Sequence, residues 1–293
     1  MQHRGQRLIV RRYLSGLLAG AILMSGHGAA YDQVATAQQT PATALRSPAG
    51  SAAQPKTAPE QVQPWIVGAT PLPRRKDGYG VVRSTPPALV DRRFPTPDRL
   101  PPPASNAFQS AITPVSPEVL ARSSWKPDCP VKPEQLRYLT MSFRGFDARP
   151  HTGEMLINAT VAQAVVEVFK RLFIAGFPIE QMHISPEAEL NLPPTGDRNN
   201  TEGFICHPGR RQNQWPAQAF GLAIDINPFQ NPYVNGDLVV PELASSYLSR
   251  NRVRSGMIFD GGPVVRAFDA AGWKWGGRWP GPVNFAHFSR DGH

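Results

Sequence analysis

Between residues 136 and 143 apolar and polar side chains alternate, as Leu136-Arg137-Tyr138-Leu139-Thr140-Met141-Ser142-Phe143, which predicts a strand with 153–157 as its short partner. The period then changes. Val161, Val165, Val168 and Leu172 recur at helical spacing, and Phe169 and Phe173 widen the apolar stripe. Asn158 or Thr160 is placed to cap this helix, and Gly176 and Pro178 to end it. A further strand is expected over 179–184, then a loop over 187–200 around Pro193, Pro194 and Gly196. Leu222-Ala223-Ile224-Asp225-Ile226 reads as a buried strand, with Ala223 and Asp225 on one face and the three larger residues on the other. Pro263 suits the first position of a second helix, which Gly272 ends, and a last strand is expected over 284–288. Strands, helix, strands, helix and strand in that order predict a compact α+β domain with a small antiparallel sheet and flanking helices.

The first part of the chain lacks such periodicity. Four arginines, Arg4, Arg7, Arg11 and Arg12, precede an apolar run from Tyr13 to Met24, and Ala35-Thr36-Ala37 supplies small residues for cleavage. The run is shorter than the ~20 residues that cross a bilayer, so 1–37 reads as a secretory signal, with an uncleaved anchor as the other reading. Residues 38–123 are rich in Pro, Ala, Gln and Ser, and are expected to form an extended, largely disordered spacer before a folded domain over 124–293. The mature chain is then expected outside the cytoplasmic membrane, secreted or in the cell envelope, without a transmembrane helix and as a monomer.

Charge narrows the partners. The 293 residues carry a formal net charge of +9, but 121–293 hold about 18 Lys/Arg against 16 Asp/Glu, so the excess sits in the export signal and spacer. A nearly balanced domain does not call for nucleic acid. Cys129 and Cys206 are the only cysteines, and in an exported chain they are expected to pair; two free thiols are the alternative.

Candidate chemistry collects near the C-terminus. The stretch Pro216-Ala217-Gln218-Ala219-Phe220-Gly221-Leu222-Ala223-Ile224-Asp225, followed by Asn284-Phe285-Ala286-His287, resembles the zinc D-alanyl-D-alanine carboxypeptidases and L-alanyl-D-glutamate endopeptidases of bacterial cell walls. These form the VanY-like family of the Hedgehog/DD-peptidase fold, whose motif reads Ser-x-His-x-x-Gly-x-Ala-x-Asp and, later, Asp/Glu-x-x-His. Further anchors run from about Trp125 to His293, among them Gly145-Phe146-Asp147, His151-Thr152-Gly153-Glu154, Asn231-Pro232-Tyr233 and Trp273-Lys274-Trp275-Gly276-Gly277. The resemblance implies peptidoglycan stem peptide as the ligand.

It also implies a damaged site. Asp225 and His287 stand at two of the three zinc-ligand positions, while Gln218 replaces the first, a His. An amide oxygen is a weak zinc donor, so zinc binding is expected to be weak or absent, and Gln218 reads as a hydrogen-bonding residue of the pocket. Asn284 replaces the acidic general base and has no pKa suited to that work. His207 falls where relatives carry an Arg that steadies the substrate carbonyl. A residual metal site from His207, Asp225, His287 and Gln218 is the alternative arrangement. Of Trp273, Trp275 and Trp279, Trp273 is expected in the core and Trp275 facing a ligand groove. The function this predicts is wall-peptide binding or regulation by a peptidase fold with impaired catalysis. The rivals are a working zinc carboxypeptidase or endopeptidase and a protein-interaction module.

Overall fold

The computed structural model describes residues 64–208 and 215–292, all within one compact unit, Gln61–His293. The export signal expected over 1–37 and the start of the spacer, 38–63, lie outside the described residues. In chain order the elements begin with β1 (Ser110–Pro114), α1 (Pro117–Ala121), β2 (Leu136–Arg144), β3 (Pro150–Asn158) and α2 (Ala162–Ile174). Then come β4 (Gln181–Met182), α3 (Glu187–Leu190), β5 (Asn200–Thr201), β6 (Ala223–Asp225), β7 (Tyr233–Asn235) and β8 (Leu238–Val240). The chain closes with α4 (Pro263–Ala270), β9 (Lys274–Trp275), β10 (Val283–Asn284) and β11 (His287–Ser289). This is an α+β domain with small antiparallel sheets and flanking helices.

The alternation at 136–143 does form a strand. β2 pairs antiparallel with β3 along its whole length, from Leu136↔Asn158 to Arg144↔Pro150, and takes β1 on its other edge. Leu139, Met141, Phe143, Met155 and Ile157 turn one face onto α2, whose Val165, Val168, Phe169 and Leu172 are buried against them. α4 adds Val264, Val265 and Phe268 to the same core. Burying each such side chain stabilises by about 1.5–3 kcal/mol, so this layer carries the domain. α2 starts without a side-chain cap, because Asn158 ends β3 and donates its amide to Phe220 O at 3.0 Å. The strand expected over 179–184 shrinks to β4, paired in parallel with β5, and the loop expected over 187–200 contains α3.

Two small sheets position the C-terminal residues. β11 lies between β6 and β9, with His287 directly opposite Asp225 and Phe288 opposite Trp275. β10 leaves this sheet to pair with β7, Asn284 opposite Tyr233. The strand expected over 284–288 is therefore two strands of different sheets, broken at Phe285 and Ala286.

The extended spacer expected over 38–123 does not hold for its described part. Leu72 and Leu89 are buried in a second apolar cluster with Phe229, Val239, Leu243, Tyr247 and Met257. Besides its own tight turns, this strap bonds to distant parts of the chain through backbone and side-chain groups. Leu72 N donates to Pro194 O, Gly80 N to Glu242 Oε1, and Thr85 Oγ1 to Leu243 O. Proline supplies an extended path and the domain supplies the partners, so the folded unit begins well before residue 124.

Cys129 and Cys206 form a disulfide with Cα atoms 5.9 Å apart, tying the segment before β2 to the segment after β5.

Candidate functional site

Gln218 is held by a short 3-10 turn, Ala217–Phe220, that ends at Gly221 in the left-handed region (φ 64°). A Cβ at Gly221 would meet Asn158 N at 2.6 Å, so glycine is required there twice, for conformation and for space. The chain then enters β6, where strand alternation buries Ile224 in the main core and leaves Asp225 half-buried on the opposite face. Cross-strand pairing brings His287 beside Asp225.

The three side chains meet. His287 Nδ1 is 3.0 Å from Asp225 Oδ1, and Gln218 Nε2 is 3.4 Å from Asp225 Oδ2 and 3.1 Å from His287 Nδ1. One nitrogen cannot both donate and accept. Beside a carboxylate, Nδ1 carries the proton and donates to Asp225, Gln218 donates to the other carboxylate oxygen, and the Gln218–His287 approach is a packing contact. The amide thus turns N–H groups inward, where a metal would require lone pairs.

Of the three, Gln218 and His287 border a cleft of about 890 Å³, which Trp215, Tyr233, Trp279 and Asn284 also wall. The Trp279 ring lies 5.3 Å from the His287 ring. Asn284 Oδ1 accepts from Ala286 N at 3.2 Å, which fixes the bend between β10 and β11. Aromatic walls with a few amide and imidazole groups suit a flat or peptide-like ligand.

Trp275 does not face the groove. It is 5 % exposed, stacks on its cross-strand neighbour Phe288 at 6.4 Å, and donates Nε1 to Phe285 O at 2.9 Å. Gly277, two positions on, makes room for this packing, since a Cβ there would meet the Trp275 ring at 2.3 Å. Trp273 is in the core, and Trp279 is the tryptophan of this segment that reaches the cleft. The loop residues Pro280, Gly281 and Pro282 beside it were the sequence signal for exposure.

His207 is also elsewhere. Its Nδ1 lies 2.7 Å from Pro208 O, and its ring borders a shallow pocket with Arg74, Leu190, Asn191 and Leu192. It is not among the residues walling the cleft that holds Gln218 and His287.

Glu202, which the sequence did not single out, pairs its backbone with Asp225. Its carboxylate accepts from Ser185 Oγ and from Asn200 Nδ2. Burial of the carboxylate pushes its pKa up to about 7, against those hydrogen bonds and with help from the charges of Asp225 and Glu189.

A catalytic zinc takes three strong protein donors and leaves one position open. Here one imidazole and one carboxylate meet an amide, and that donor set does not fit such an ion. Among the described residues no three His, Cys, Asp or Glu side chains converge to hold a metal.

Fold and cleft together define an α+β domain with a polar triad of Gln218, Asp225 and His287 beside an aromatic-walled groove. Residues 210–290, which contain that triad, match a family model described as D-alanyl-D-alanine carboxypeptidase, and over this stretch the chain is similar to the peptidase M15 superfamily. No curated protein and no solved structure matches the chain.

Proposed function

We propose that the cleft binds peptidoglycan stem peptide in an exported, VanY-like protein that no longer performs ordinary zinc peptidase chemistry. The observation that carries this is the Gln218 amide seated between Asp225 and His287, with its nitrogen turned toward both. The similarity of 210–290 to D-alanyl-D-alanine carboxypeptidases supports the ligand class. The walls formed by Trp215, Tyr233 and Trp279 support retention of a groove. Asn284 uses its oxygen to fix a turn and cannot take a proton from water; losing such help typically removes a factor of about 10²–10⁴.

Protein purified without chelator tests the reading. It is expected to hold no stoichiometric zinc, to release no D-alanine from a stem peptide, and to sediment with purified wall sacculi. Stoichiometric zinc with D-alanine release would establish a working enzyme with an altered metal shell. Protein that stays in the supernatant would point to a protein-interaction module.

A further inference from the structure

A second cavity, of about 600 Å³, lies where the strap meets the core and shares no lining residue with the aromatic cleft. The strap contributes Val67, Pro71 and Arg99, and the core contributes His183, Leu192 and Arg198. His183 is 4 % exposed, and neither ring nitrogen has a hydrogen-bond partner; its closest charged neighbour is Glu189, with Nε2 3.5 Å from Oε2. A buried imidazole whose one polar contact is a long approach to Glu189 keeps unused bonding capacity, which an occupant of the cavity can satisfy. Arg99 is exposed and Arg198 half-buried. Both are within Coulombic reach of Glu189, yet among the described residues neither guanidinium makes an ion-pair contact.

The wall chemistry narrows the ligand. Two guanidiniums and an imidazole favour an oxyanion. Glu189 borders the same cavity, joined by Glu202 when ionised, and this negative charge opposes a second charge on the ligand, which disfavours phosphate. Val67, Pro71 and Leu192 provide apolar wall, and Val67 and Leu192 are left 38 % and 57 % exposed. We infer that this cavity binds a small monocarboxylate with an apolar body, its carboxylate taken by His183, Arg198 and Arg99 and its chain by the apolar wall.

The test uses full-length protein labelled with ¹⁵N-histidine, with the His183 ring signal assigned from His183→Gln, and calorimetry on the same samples. Hexanoate, hexan-1-ol and inorganic phosphate serve as probes. Hexanoate is expected to move the His183 signal saturably at millimolar concentration or below, while the alcohol and phosphate leave it in place. Arg198→Ala and Arg99→Ala are each expected to weaken hexanoate by about tenfold or more, with unchanged unfolding midpoints. Absence of saturable hexanoate binding, phosphate binding as tight as hexanoate, or undiminished affinity in the double arginine variant would each overturn the assignment. Wall sedimentation is read on the other cleft, so either assignment can fail alone.

Discussion

Arg92 and Glu180 meet in a two-point ion pair, Nε to Oε2 at 2.8 Å and Nη2 to Oε1 at 2.6 Å, with side-chain exposures of 0 % and 1 %. Further bonds support the pair. Arg92 Nη1 donates to Asp197 O, Asn199 Nδ2 donates to Glu180 Oε2, and the Phe94 and Phe229 rings face the guanidinium. The pair fastens the strap to the segment that leads into β4. Arg92→Met leaves Glu180 buried without its counter-charge and is expected to cost about 3–5 kcal/mol, measured by urea unfolding. The double variant Arg92→Met, Glu180→Leu is expected to recover part of that loss. A single-variant loss below about 1 kcal/mol would show that the strap is not anchored here.

The Cys129–Cys206 disulfide closes a separation of 77 residues around β2, β3 and α2. Constraining the unfolded chain over a loop of that size typically contributes about 2–4 kcal/mol. Cys129→Ser with Cys206→Ser is expected to lower stability by that amount, read from denaturant midpoints. Protein alkylated without reductant is expected to gain no adducts, and two adducts would refute the bond.

What could be read in the sequence followed locality. The alternation of β2 and the stripe of α2 report partners that each element meets along one face, so period alone revealed them. The strap has no such period. Its order comes from single contacts to residues some 160 positions away, Gly80 to Glu242 and Thr85 to Leu243, which proline content hid behind the composition of a linker. Asp225, His287 and Gln218 were legible as a group only through the resemblance of their motifs to the VanY-like family; in the fold one glycine, one strand and one cross-strand register bring them together. Trp275 was misread because its flanking glycines admit the ring inward rather than expose it.

Trp279 and Trp275 separate binding from folding. Trp279→Ala removes a cleft wall next to His287 and is expected to reduce wall sedimentation severalfold without lowering the unfolding midpoint. Trp275→Ala opens the core against Phe288 and is expected to cost about 3–5 kcal/mol. If Trp279→Ala sediments like the parent protein, the aromatic cleft is not the wall-binding surface.

Glu202 gives the domain a pH-dependent stability whose sign can be worked out. Burial lifts its folded-state pKa from the ordinary value of 4.5 to about 7, so between those values the folded protein keeps a proton that the unfolded chain releases. The contribution is fully present below the ordinary value and is lost as pH rises through about 7. Glu202→Gln removes this dependence. Above that range the variant is expected to be more stable than the parent by about 3 kcal/mol, and near the ordinary value to match it. Urea midpoints on both sides of the range check this, and a parent-minus-variant difference independent of pH would show that Glu202 titrates normally.

Gln218 is the position at which the proposed exclusion of a metal from the cleft can be tested. Gln218→His sets a second imidazole beside Asp225 and His287, and the three strong donors then match what a catalytic zinc requires. Asn284→Asp keeps an oxygen for Ala286 N and adds a carboxylate on the cleft wall. The double variant is expected to bind zinc more than about a hundredfold tighter than the parent, measured by competition with a chromophoric chelator. Adding His207→Arg is expected to change neither zinc affinity nor D-alanine release, because His207 borders the pocket of Arg74 and Asn191 instead of this cleft. Zinc affinity unchanged in the double variant would mean that the amide at 218 is not what keeps the ion out, and the reading of the triad as a substituted metal centre would fall with it.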